Sequence, residues 1–235
     1  GGKGSYEFIE NLNVQGHAYF SSDWSGHGSN GHPSVETTFA RSQLPGFENY
    51  LMYFMPGLEL QYDSRDATAA PEKGGFYTLS FNRYQGVNRG GFNYNECALD
   101  VQQFIRLWAE RHVLVLRTDW MYRDSTGGDR IPFYRLTSMD VYSGMRGFAQ
   151  GRFHDRGRMV YNVEYRFPVW SFVDGELFCD FGRVFHEMSD ISFKHLKVDG
   201  GAGLRLRTKN YFLARLQTVY GNEGFRVLFK TSQSF

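Results

Sequence analysis

At 235 residues the chain can form one large domain or two small ones, and 26 basic against 25 acidic side chains leave no strong field pointing to nucleic acid. Mean hydropathy is −0.47 and no apolar run approaches 18 residues, which excludes a transmembrane helix but not a barrel, whose strands alternate lipid-facing and lumen-facing side chains. Phe 22, Tyr 15 and Trp 4, beside 27 Gly and only 6 Pro, suit sheets with many turns and interfacial aromatic girdles.

Two-residue alternation recurs along the chain and helical periodicity is nearly absent. In chain order it predicts eleven strands, at about 6–20, 34–42, 52–63, 75–85, 94–107, 112–123, 159–170, 174–185, 198–208, 211–220 and 225–235. In "ECALDVQQFIRL", Cys97, Leu99, Val101, Ile105 and Leu107 oppose Glu96, Asp100, Gln102 and Arg106. In "MVYNVEYRFPVW", Met159, Tyr161, Val163, Tyr165 and Phe167 oppose Asn162, Glu164 and Arg166. In "GGAGLRLRT", Arg205 and Arg207 oppose Ala202, Leu204 and Leu206. The polar faces carry opposed charges, among them Glu59, Asp63, Asp180, Arg117 and Arg215.

Many of these strands reach ten residues, the length of a tilted membrane-spanning strand, and no helix is present to cover a face. Closure into a barrel satisfies every strand edge in lipid. Connections are short at 109–111, 171–175 and 208–210 and longer at 86–93 and 124–158, in keeping with short periplasmic turns and longer external loops. The segment 124–158 is too long and too aromatic for a plain connection and reads as an ordered loop packed inside the barrel.

Several motifs, in order, resemble the C-terminal barrel of the BamA/TamA outer-membrane assembly factors, the superfamily of bacterial surface antigen barrels. They are "LELQYDSRDATAAPEKGGFYTLS" (58–80), "MRGF" (145–148), "GRFHDR" (151–156), "VEYRFPVW" (163–170), "LFCDFGRVF" (177–185), "GGAGLRLR" (200–207) and the terminal Phe235. The resemblance implies an all-β, antiparallel transmembrane barrel in the bacterial outer membrane, of which 11–12 strands are visible here out of a family number of sixteen. Residues 1–235 then form a single barrel domain without its first strands, in keeping with a start at Gly-Gly-Lys that lacks Met and a signal peptide. An odd strand count with a periplasmic C-terminus puts residue 1 on the outer side, and no POTRA module is visible.

The resemblance also implies that the tip Met145, Arg146, Gly147 and Phe148 folds back into the lumen, with Arg146 meeting Asp180. By strand parity Asp180 points inward with Glu176 and Gly182, and Glu164 is a second partner one strand away. Gly147 and Gly182 permit close backbone approach. Arg152 and Arg156 line the lumen. Asp63, Arg65 and Asp66 fix a periplasmic turn by local hydrogen bonds. Phe235 and Phe229 belong to the C-terminal aromatic signal, which Thr231 and Gln233 interrupt.

No catalytic constellation is visible, so an enzyme is not expected, and neither is a cofactor. His27 and His32 lack a third zinc ligand, so no metal is expected. Cys97 and Cys179 lie three strands apart, about 14 Å, too far for a disulfide. The role implied is insertion or translocation of proteins at the outer membrane, through a weak seam between first and last strands. The implied partners are lipopolysaccharide and phospholipid, client outer-membrane or secreted proteins, and assembly-complex subunits. The alternatives are a non-catalytic pore or anchor barrel, and a soluble β-sandwich or lipocalin-like binder.

Overall fold

The computed structural model describes residues 1–27, 34–208 and 212–231. Eleven strands form one antiparallel sheet: β1 (Gly2–Ile9), β2 (Leu12–Trp24), β3 (Tyr50–Asp63), β4 (Gly74–Gly86), β5 (Tyr94–Arg106), β6 (Val113–Ser125), β9 (Gly157–Trp170), β10 (Val173–Phe185), β11 (Lys197–Arg207), β12 (Phe212–Gly221) and β13 (Gly224–Lys230). Between β6 and β9 the chain inserts a small hairpin of β7 (Thr137–Met139) and β8 (Phe153–Asp155), while β6 pairs directly with β9. β1 and β13 are the two edges of the sheet among the described residues.

The sheet is turned inside out relative to a soluble one. Leu58, Leu79, Phe81, Leu177, Leu204, Leu216, Phe225 and Phe229 are exposed, whereas Glu96, Gln102, Glu164, Arg166, Glu176, Asp180, Arg205 and Gln217 are buried. An apolar outer band this large would be an aggregation liability in water and is at home only against lipid tails. That inversion removes the soluble sandwich. Exposed aromatics gather near the strand ends: Trp108, Trp170 and Phe172 at the short-turn end, Trp24, Tyr50 and Phe193 at the long-loop end. Such girdles mark the two water interfaces.

Two of the expected strands differ. The segment 6–20 is divided by a two-residue turn at Glu10 and Asn11, where Asn11 takes a left-handed φ of 70°, one of the few non-glycine side chains that tolerates it. The segment 34–42 is not a strand: Val35–Thr38 forms one helical turn and Arg41–Gln43 a 3-10 turn, with Thr37 Oγ1 donating to the Ser34 carbonyl at 2.6 Å. Its alternating Val35 and Phe39 are both exposed, so the apparent face had no sheet to join. One strand gained and one lost leave the main sheet at eleven.

Candidate functional site

The connection 126–156 enters the interior and packs along the inner wall in two stages. Its first half rests on aromatics: Ile131 joins Leu51, Tyr53, Tyr84 and Tyr94 in a buried cluster. Arg135 follows, its guanidinium on Asp23 of β2 at 2.5 Å and 5.7 Å over the rings of both Tyr53 and Tyr84. The second half turns on Asp140. Its carboxylate accepts from the backbone N–H of Tyr142 (2.9 Å) and Gly151 (2.8 Å) and from the Ser138 hydroxyl (2.8 Å). Burial works to raise the Asp140 carboxyl, but these donors outweigh it and hold it below its usual value.

This hub delivers the tip. Gly144 sits at φ 110°, and a Cβ there would stand 2.9 Å from Asn162 Oδ1, so the turn into the tip requires glycine. Arg146 then reaches the inner wall at the middle of β9 and β10. Its Nε and Nη2 donate to the two oxygens of Asp180 at 2.8 and 2.7 Å, a bidentate fork, and Nη1 donates to Glu164 Oε2 at 2.8 Å. The guanidinium carbon lies 3.5 Å from the centre of the Phe178 ring. Arg146 is 1% exposed and both carboxylates are fully buried. Burial opposes the charge, yet Asp180 and then Glu164 outweigh it and hold the guanidinium above its ordinary pKa.

The neighbours of Arg146 complete the fit. A Cβ on Gly147 would come 2.6 Å from the Asp199 Cβ, so the backbone can lie this close to β11 only as glycine. Met145 and Phe148 are buried with Met139 and Val160, and Gly182 on β10 lies beneath the sulfurs of Met139 and Met145. The structure therefore brings together Met145, Arg146, Gly147, Phe148, Glu164, Asp180 and Gly182. Asn162 adds a clamp, donating from Nδ2 to Asp180 Oδ1 and to the Gly144 carbonyl, both at 2.8 Å.

Other expected residues lie elsewhere. Arg65 forks onto Asp63 at 2.7 and 2.8 Å and lies 4.3 Å over Phe76, while Asp66 accepts from the backbone N–H of Glu72 and Lys73 in the same turn. Phe229 faces outward on β13, 69% exposed. Phe235, Gln233 and His32 lie outside the described residues. His27 is bound by Glu36 and Glu48. Among the described residues no cluster of metal-ligating side chains occurs, and Cys97 and Cys179 are free. Arg152 does not line the lumen: half-exposed, it pairs with Glu223 in the β12–β13 turn. The Arg156 carbonyl accepts from the Arg123 N–H at 2.9 Å, and the Arg156 side chain meets the Tyr122 hydroxyl.

Sequence reasoning missed Asp140, Asn162, Arg135 and the Arg117 and Arg158 contacts. Arg117 donates to the Ser143 carbonyl at 3.3 Å and Arg158 to that of Ser138 at 3.1 Å, each also held by Asp119. "DVYS" carried a usable signal, an Asp whose side chain can cap the N–H two and three residues on. Nothing local distinguishes Asn162 from any other lumen-facing polar residue.

A polar lumen, an apolar outer band and a loop bonded along the inner wall define an outer-membrane β-barrel wall with its own internal plug segment. Residues 53–230 match the Omp85 superfamily domain, and the chain belongs to that superfamily. Its place is the bacterial outer membrane. Among solved structures it is similar to a crystal structure of BamA from Haemophilus ducreyi lacking POTRA domains 1-3, with a TM-score of 0.72 and 15% identity. The match covers 97% of this chain and 52% of that one, so the chain spans about half the length of this relative. Among curated protein sequences there is no match.

Proposed function

We propose that this barrel inserts or translocates client outer-membrane or secreted proteins, with the loop holding the inner wall in a fixed shape beside a pairing edge. The observation that carries the reading is the contrast along the sheet. β9 and β10, beneath the Arg146 tip, run 14 and 13 residues, whereas β13, at one edge of the sheet among the described residues, has seven there. A short strand next to a rigid wall is suited to exchanging its backbone partners, because an unpaired edge templates an incoming strand. The role is non-enzymatic: the work lies in strand pairing, with lipid around the barrel and assembly-complex subunits as partners.

Depletion of the full-length protein tests this. The expected result is a fall in the levels of other outer-membrane proteins. Normal levels with altered permeability would instead support a pore or an anchor.

A further inference from the structure

The turn between β3 and β4, residues 64–73, is the longest at the short-turn end of the sheet among the described residues. Its stem is closed by the backbone N–H groups of Ser64 and Asp66, which donate to the carbonyls of Gly75 and Lys73 at 2.8 and 3.1 Å. Its tip does not project into water. Ala70, Pro71 and Glu72 lie against Val113 of β6, Arg166 of β9, Asp174 of β10 and Arg205 of β11. Pro71 is buried, and so are those four wall residues. The space left between tip and wall is about 10 Å³, room for one water molecule at most.

One carboxylate fastens this tip. Glu72 Oε2 accepts from Arg106 Nε at the end of β5 at 3.1 Å and from the Arg111 backbone N–H at 3.2 Å, and Oε1 lies 3.7 Å from Arg207 Nη1 of β11. On its other side Glu72 borders an open cavity of about 490 Å³, with Arg106, Glu110 and Phe172 in its lining. Glu72 therefore divides a closely packed wall from water. Ion pairs that face water are weak and screened by salt, which suits a contact that opens and closes. We propose that the 64–73 turn is a lid over the short-turn end of the inner wall from β6 to β11, with Glu72 as its catch. Released, it admits water and small solutes to Arg166 and Arg205, and through Glu164 to Arg146. The lid does not depend on the client-pairing role.

The test uses the full-length protein in phospholipid vesicles, with Val113→Cys as a reporter beneath the lid and Cys97→Ala and Cys179→Ala to remove the native thiols. A membrane-impermeant maleimide is added on the side that the short turns face, and the rate at which it labels the introduced thiol is followed. Labelling of this parent should be slow at low salt and rise as salt screens the catch. Glu72→Gln should speed labelling about fivefold and abolish most of the salt dependence. Glu110→Gln, a charge removed from the open cavity and not from the catch, should leave the rate unchanged.

Fast labelling of the parent at low salt would overturn the lid. Labelling that is slow and equal with Glu72 and with Gln, or a parent rate indifferent to salt, would overturn Glu72 as the catch. Heat-modifiable migration verifies that each variant is folded, and the salt series on the parent decides the matter if Glu72→Gln does not fold.

Discussion

Arg146 and Arg215 are both 1% exposed, both face the lumen, and have opposite surroundings. Arg146 is brought in by a loop shaped around it and finds two carboxylates and a ring. Arg215 stands on a strand between Arg205 and Lys230 and makes no hydrogen bond among the described residues, so Glu164 and Glu176 attract it without a direct contact. Burial of a charge is therefore not one structural statement. In the first case the charge is held by a bidentate fork, and in the second it is offset by carboxylates that it does not touch.

The comparison makes its strongest demand on two matching substitutions. Arg146→Met leaves Asp180 and Glu164 buried without their cation and should destabilise the barrel by about 3–5 kcal/mol. Urea unfolding in detergent, followed by heat-modifiable migration, reads that loss. Arg215→Met removes a guanidinium that makes no hydrogen bond among the described residues and should cost less than about 1 kcal/mol in the same assay. Equal losses from the two would erase the distinction.

Smaller effects sharpen the account of the loop. Asp140→Ala leaves partly buried N–H groups without their acceptor and should cost about 1–3 kcal/mol, seen as faster proteolysis within 126–156. Acid should act at the same hub. The Asp140 carboxyl lies below its usual 3.8 in the fold, so its contribution is complete above that pH and lost as pH falls through the lower folded value. Pepsin cleavage of the loop should therefore stay slow down to about pH 4 and accelerate below it. Arg152→Ala removes a half-exposed pair with Glu223 and should change stability by no more than about 0.5 kcal/mol.

Much of the wall was legible in the sequence because parity in a strand is a geometric constraint: Asp180, Glu164 and Arg215 had to share the face opposite Leu177, Val163 and Leu216. The tip was legible through glycine and arginine together, in the order of motifs that resemble the superfamily. The turn at Asn11 was hidden because alternation continues across a two-residue hairpin. The false strand at 34–42 arose because Val35 and Phe39 alternate with no neighbouring strand to pair with. Asn162, Arg135 and the Arg152–Glu223 pair depend on where a 31-residue connection folds in three dimensions, which no local pattern encodes. The lack of a hydrogen bond to Arg215 among the described residues is likewise a property of registers across three strands, invisible until they are aligned.

The claim at the centre of this account is that the Arg146–Asp180 pair fastens the loop to the wall. A double-mutant cycle of Arg146→Met and Asp180→Asn, measured by urea unfolding, tests it most directly. A coupling of at least about 1.5 kcal/mol between the two substitutions is predicted, and losses that add to within about 0.5 kcal/mol would contradict it.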